Sequence, residues 1–241
     1  MSKYNLKEKQ EAFSEAMRSY HSSHLYQKIY TFVSVVNISL QIVLLYIATT
    51  LSFGLIWVPF IVVVSYFITD FINGLVHLYM DHNEGYNSFF GPFIASFHLH
   101  HKKPEYTDNN LFMIYFNESG PKFWLIFYLL FVFLLSFLEI NPVVLSIFIL
   151  VGFLSSVAEV SHYLCHNSKS KSVLFLQNIG LLLSMKHHKK HHNEDNNGYA
   201  FLNGMSDVFI DKIAKRYYAG YKENSDKHFE FYKGMDTANR A

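Results

Sequence analysis

The residues best suited to chemistry in this chain are its histidines. Of 14, eleven fall in four tight groups: His77 and His82; His98, His100 and His101; His162 and His166; and His187, His188, His191 and His192. The last group lies in "MKHHKKHHNED", Met185 to Asp195, with two lysines between its pairs of imidazoles. Imidazole is the commonest metal ligand, and carboxylates accompany it here. In "DFINGLVHLYMDH", Asp70, His77 and Asp81 lie seven and four residues apart; in "EVSHYLCH", Glu159, His162 and His166 lie three and four apart. Residues at these spacings share one helix face, so each stretch presents a ladder of acid and imidazole. "HHKKHH" presents His188, His191 and His192 together, as HxxHH.

Elements that could position these ladders follow from the distribution of charge. Hydrophobic residues make up 51% of the 241 and charged residues only 16%. The 41 residues from Ile29 to Thr69 carry no charge, enough for two membrane spans of about 20 residues each. A break is expected near "ATTLSFG", Ala48 to Gly54, and Pro59, early in the second span, is placed to kink it. Phe123 to Leu138 and Asn141 to Ala158 are also uncharged, divided by "EINP", and Pro142 suits the first turn of a new helix. The expected fold is all-α, an integral membrane protein with four transmembrane helices at about residues 29–49, 55–80, 122–139 and 142–163. Residues Val173 to Met185 are too few to cross and are expected as an interfacial or re-entrant segment.

All 20 Lys and Arg lie at or before Lys28, between Lys102 and Lys122, or from Lys169 onward. In a four-span bundle these segments share one side, which the positive-inside rule makes cytoplasmic. Residues 1–28 read as a polar cytosolic segment without the pattern of a signal peptide. Residues 29–241 read as one membrane domain whose histidine-rich part, 164–241, is cytosolic. The grouped histidines then all fall on the lysine side. A net charge of +1 provides no field to attract nucleic acid.

Each feature also has an ordinary reading. His21, His24, His82, His98 and His228 suit hydrogen-bonding roles near span ends. Asp70 and Glu159 suit interhelical hydrogen bonds, and "HHKK" alone suits a basic surface facing lipid headgroups. Convergence of four paired sets on one side of one bundle points instead to metal. One zinc takes three or four ligands; eight or more candidates suit two first-row ions, and a nitrogen-rich set suits iron. The single Cys165 excludes an internal disulfide and any cysteine-built cluster. Two irons opening into an apolar bundle suggest oxygen chemistry on an acyl or alkyl chain, because breaking an unactivated C–H bond is beyond acid–base side chains.

Taken with "HHKKPEYT", "FNESG", "SHYLCH", "LQNIGLLLSMKHHKKHH" and "FLNG", these motifs resemble the membrane di-iron desaturases and hydroxylases with histidine boxes. More specifically, they resemble the Kua family of lipid desaturases, which includes plasmanylethanolamine desaturase and the plant plastid enzyme that makes a trans double bond in phosphatidylglycerol. The resemblance implies that His77 and Asp81 form the first acid–His element, His100 and His101 with Pro104 the HH-x-x-P element, His162 and His166 the HxxxH box, and His188, His191 and His192 the final HxxHH box. These nine acidic and imidazole residues are the implied catalytic metal ligands, with His187 as a further ligand. "EYTDNN" differs from the family's Ile-Thr-x-Arg pattern, and Glu159 stands where an amide is expected; both bear on headgroup or chain selectivity.

The implied reaction uses two iron ions and O2 to remove two hydrogens from adjacent carbons of a phospholipid chain. The chain has no flavin fingerprint, haem-attachment motif or iron–sulfur cysteines, so electrons must come from an external donor such as cytochrome b5 or ferredoxin. Lys212, Lys215 and Arg216 are placed to dock it, or to face lipid phosphates. Rival readings are a hydroxylase on the same site, a trans-desaturase of a phosphatidylglycerol acyl chain, a bis-histidine haem protein using His77 and His162, and a metal transporter.

Overall fold

The computed structural model describes residues 3–102 and 110–233, and every regular element among them is helical. Pro104 and residues 105–109 of the divergent polar run lie outside the described residues. Helix α1 (Lys3–Ser22) occupies most of the polar N-terminal segment. Phe13, Ala16 and Met17 repeat at three and four residues, so they share a face. That face is buried against Tyr86, Ile94, Ala95 and Phe229.

Helix α2 (His24–Thr50) starts where the Ser23 hydroxyl accepts a hydrogen bond from the Leu25 N–H. Its 27 residues span about 40 Å, more than the hydrocarbon core of about 30 Å. A 3-10 turn (Leu55–Trp57) leads into α3 (Val58–Asp81). Pro59 falls in the first turn of α3, where the N–H it lacks would have no intrahelical partner. It therefore begins the helix and breaks no bond within it. The chain then turns into α4 (Gly91–Leu99), which ends at His100.

The third expected span, residues 122–139, is helical only over Phe123–Leu135, and a bend lies just before it. There α5 (Leu111–Glu118) and α6 (Phe123–Leu135) meet at 88°. Alone, the 13 residues of α6 reach only about 20 Å. The elbow is held from α2: Asn37 Nδ2 donates to the Ser119 carbonyl at 2.9 Å and to the Lys122 carbonyl at 3.2 Å. Helix α7 (Pro142–Asn167) begins as expected, with Pro142 at its start and the Asn141 side chain capping the Val143 N–H. Among the described residues, three helices are thus long and apolar enough to cross a membrane, or four elements if the bent pair counts as one span.

Helices α3 and α7 form the central pair. Ser65 Oγ donates to the Ile147 carbonyl at 3.3 Å, and Asn73 Nδ2 donates to Ser155 Oγ at 3.1 Å. The residue offset is the same in both bonds, so the helices run parallel and their C-terminal ends lie together. That arrangement brings the two acid–imidazole ladders to one end of the bundle. The same end receives α8 (Lys171–Asn178), α9 (Met185–Asn193), α10 (Asp207–Tyr217) and α11 (Ser225–His228). Apolar Val173 to Met185 is helical only in its first part; Phe175 and Ile179 are exposed while Leu183 is fully buried. Gly74 of α3 permits a close approach, as its position suggests. A Cβ there would lie 3.1 Å from the Ala200 backbone and 2.4 Å from Ile210 of α10.

Candidate metal centre

Four elements each contribute to a cluster of imidazoles, and the cluster divides in two. His100, His162, His166 and His188 form one group; His77, Asp81, His101 and His191 form the other. In each, one ligand atom per residue lies within 4.8 Å of all the others. Helix α7 serves only the first group and α3 only the second. Adjacent His100 and His101 go one to each, as do His188 and His191 on α9. The Ser184 hydroxyl caps α9 through the His187 N–H, which makes HxxHH helical and turns His188 and His191 inward.

The geometry suits ions of the first transition row. In the first group, His162 Nε2 lies 3.1 Å from His100 Nε2, 2.9 Å from His188 Nε2 and 3.3 Å from His166 Nε2. A divalent ion bonded to imidazole nitrogen at about 2.0–2.1 Å separates two such nitrogens by about 3.0–3.4 Å, depending on geometry. In the second group, Asp81 is fully buried and, among the described residues, neither of its carboxylate oxygens has a hydrogen-bond partner. They face His101 Nε2 at 3.3 Å, His191 Nε2 at 3.5 Å and His77 Nε2 at 3.7 Å. A buried carboxylate is costly without a compensating charge, and a cation among these four groups would supply it. The donor set therefore fits two such ions, iron included.

The outer nitrogens are fixed by partners that spacing does not reveal. His77 Nδ1–H donates to the Tyr199 carbonyl at 2.9 Å and His191 Nδ1–H to the Asn197 carbonyl at 3.1 Å. His101 Nδ1–H donates to Asp226 at 2.9 Å. All three bonds leave Nε2 aimed at the cluster, the usual way a protein orients a ligating imidazole. No local sequence signal marks Asp226, which lies 125 residues from its partner. Replacing it with alanine is expected to weaken metal binding by about 10–100-fold, as loss of such outer partners generally does. A metal titration of the purified variant checks this.

Charge matches the geometry. Burial, then the neighbouring imidazoles, hold His100 and His188 well below the usual histidine range. Burial and the His77 imidazole do the same for His191, so all three are neutral with lone pairs available. Burial also opposes a charge on His101, yet Asp81 and Asp226 outweigh it and raise its pKa to about 9. Without metal, a proton on His101 would serve as the cation between those two carboxylates.

The remaining candidates separate clearly. His192 Nε2 is 2.9 Å from His188 Nε2, and its ring is 5.4 Å from those of both His100 and His101. It stands between the groups and belongs to neither set of four. His187 turns away, bonding Asp207 at 2.6 Å, outside both groups. Asp70 is also outside them; it accepts backbone N–H bonds from Leu202, Asn203, Gly204 and Ser206, and so holds the "FLNG" turn. Lys122, expected as a charge on the cytoplasmic side, is buried and pairs with Glu159 at 2.9 Å.

His98 is structural: Nδ1 meets the Tyr86 hydroxyl at 2.7 Å and Nε2–H donates to the Met80 carbonyl at 2.8 Å. Burial lowers its pKa from 6.5 to about 4. The unfolded chain therefore takes up this proton first, and stability present above pH 6.5 is lost as pH falls toward about 4, amounting to about 3 kcal/mol. The lowered values of His100, His188, His191 and His192 act in the same direction. Melting of metal-free protein in detergent should fall between about pH 6.5 and about pH 4, the window these shifts define, and His98→Gln should flatten part of that slope.

The chain is thus helical, with elements long and apolar enough to span a membrane and two clusters of imidazole and carboxylate at one end that could hold metal. The chain belongs to the lipid desaturase domain family, which matches residues 66–216, more than half its length. No curated protein and no solved structure matches it. Family membership gives it a lipid desaturase or hydroxylase type of function, with a lipid substrate in a membrane context, and suggests an oxidoreductase that uses iron and O2. The match spans every residue of the two groups but excludes α1 and Asp226.

Proposed function

We propose that this protein is a di-iron lipid desaturase that introduces a double bond into the alkyl or acyl chain of a phospholipid, of the plasmanylethanolamine desaturase kind. Its two groups of four facing ligands are the observation that carries the reading. His100, His162, His166 and His188 would hold one iron and His77, Asp81, His101 and His191 the other, with His192 between them. Bound iron and O2 would supply the oxidising power that an unactivated C–H bond demands. The protein orients the imidazoles through the hydrogen bonds of their outer nitrogens. The Phe201 ring lies 5.6 Å from His77 and 5.5 Å from His162, so one apolar side chain covers a ligand of each group.

The N- and C-terminal segments and the metal centre would lie on the cytoplasmic side, where an external donor such as cytochrome b5 or ferredoxin supplies electrons. Lys212, Lys215 and Arg216 on α10 are exposed, as docking of an acidic carrier requires. The haem reading is disfavoured because His77 and His162 stand in different groups. A hydroxylase would use the same ligands, and phosphatidylglycerol is the alternative substrate.

Lipid mass spectrometry after expression in a host without vinyl-ether lipids tests the proposal. The expected product is a phospholipid two hydrogens lighter, with the double bond in its alkyl chain. A hydroxylated chain would assign the protein to the hydroxylases, and an unsaturated phosphatidylglycerol would reassign the substrate.

A further inference from the structure

Both metal groups are backed by a lysine and a carboxylate, hydrogen-bonded to a ligand imidazole behind the second group and in looser contact with one behind the first. Behind the second group, Lys222 Nζ pairs with Asp226 Oδ2 at 2.9 Å, and Asp226 Oδ1 accepts from His101 Nδ1 at 2.9 Å. Behind the first, Lys122 Nζ pairs with Glu159 Oε1 at 2.9 Å, and Glu159 Oε2 lies 3.8 Å from His162 Nδ1. The residues come from unrelated parts of the chain, yet each set reads lysine, carboxylate, ligand imidazole. The two sets differ in burial. The Lys222 side chain is 26% exposed, whereas that of Lys122 is 6% exposed. Lys122 also donates to Asn73 Oδ1 at 2.6 Å, and the Phe201 ring lies 4.9 Å from its ammonium.

We infer that Lys122 and Glu159 are positioning residues that act through His162 and set the charge felt by the first metal group. This inference rests on the di-iron reading above. A carboxylate charge close behind a ligating imidazole raises its basicity, and a lysine on the far oxygen offsets part of that charge. In a buried setting charges are poorly screened, so the Lys122 ammonium should act strongly on the site. Its more exposed counterpart Lys222 should act less strongly. The elbow between α5 and α6 gains a purpose here, because it carries Lys122 into the bundle beside α7.

The test is a redox titration of the iron-loaded, detergent-solubilised full chain, with iron per chain measured alongside. Lys122→Met leaves Glu159 uncompensated and should shift one midpoint potential negative. Glu159→Gln should shift it positive, and the double variant should return it close to wild type. Lys122→Arg should preserve it, and Lys222→Met should move the other potential less. A merely structural ion pair would lower thermal stability in the single variants and leave both potentials unmoved, and that result would overturn the inference. Should Lys122→Met fail to fold, Glu159→Gln and Lys122→Arg decide the question by the same readout. A wild-type chain that binds no iron would overturn the di-iron reading and this inference together, whereas iron bound with unmoved potentials overturns this inference alone.

Discussion

His188→Ala is expected to leave about one iron per chain where the proposed centre would hold two, and to lower desaturation by more than about 100-fold. The second figure follows from outer-partner changes, which alone cost about 10–100-fold; loss of a ligand should exceed that. His188 is 1% exposed, and its Nε2 lies 2.9 Å from that of His162. Its removal leaves three imidazoles in the first group and opens a buried gap. The second group keeps all of its ligands, because His191 is contributed independently from one turn further along α9. His191→Ala should therefore remove the other ion, and the two variants should be complementary. His187→Ala should retain both irons, since its imidazole is committed to Asp207. Metal analysis of the three purified variants checks this. Equal iron in His188→Ala and wild type would defeat the assignment.

Asp70→Ala is expected to prevent accumulation of folded protein. Asp70 is fully buried; Oδ1 accepts from the N–H groups of Leu202, Asn203 and Gly204, and Oδ2 from the N–H and hydroxyl of Ser206, at 2.7–3.2 Å. Each buried donor left unpaired costs about 1–3 kcal/mol. Four backbone donors together approach the whole stability of an ordinary domain, about 5–15 kcal/mol. The turn is also difficult to replace locally. Gly204 has φ +83°, and a Cβ there would lie within 3.0 Å of the His187 ring. Damage should reach the metal centre, because the same segment supplies the Tyr199 carbonyl to His77 and the Leu202 carbonyl to Ser161. Asp70→Asn keeps one acceptor oxygen and should be milder. Thermal melting in detergent distinguishes these outcomes; a melting temperature within about 5 °C of wild type for Asp70→Ala would mean the turn is held by other contacts.

Much of the metal centre is legible in the sequence because ligand pairs on one helix obey local geometry. Asp81 follows His77 by four residues and His166 follows His162 by four, so a helix alone sets each pair on one face. The starts of α2 and α7 are similarly local, written in Ser23, Asn141 and Pro142. Helix α1 was visible in principle, through the spacing of Phe13, Ala16 and Met17. Its polar composition obscured that stripe, and a count of apolar residues does not register a narrow face. The third span misleads for a related reason. An apolar run reports that a segment avoids water, whereas the bend at Lys122 depends on Asn37 of a distant helix.

What the sequence determined by itself is the inventory: an all-helical chain with membrane-length apolar segments, and imidazoles paired with carboxylates at helical spacing. Tertiary structure alone decided how that inventory is shared. It split adjacent His100 and His101 between two groups, removed His187 to Asp207, assigned Asp70 to a turn, and buried Lys122 beside Glu159. The physical reason is that spacing specifies the direction of a side chain from its own helix, while a ligand's partner depends on which other helix ends arrive at the same point. Here the parallel run of α3 and α7 settles that, through bonds such as that from Asn73 to Ser155, made between residues 82 positions apart.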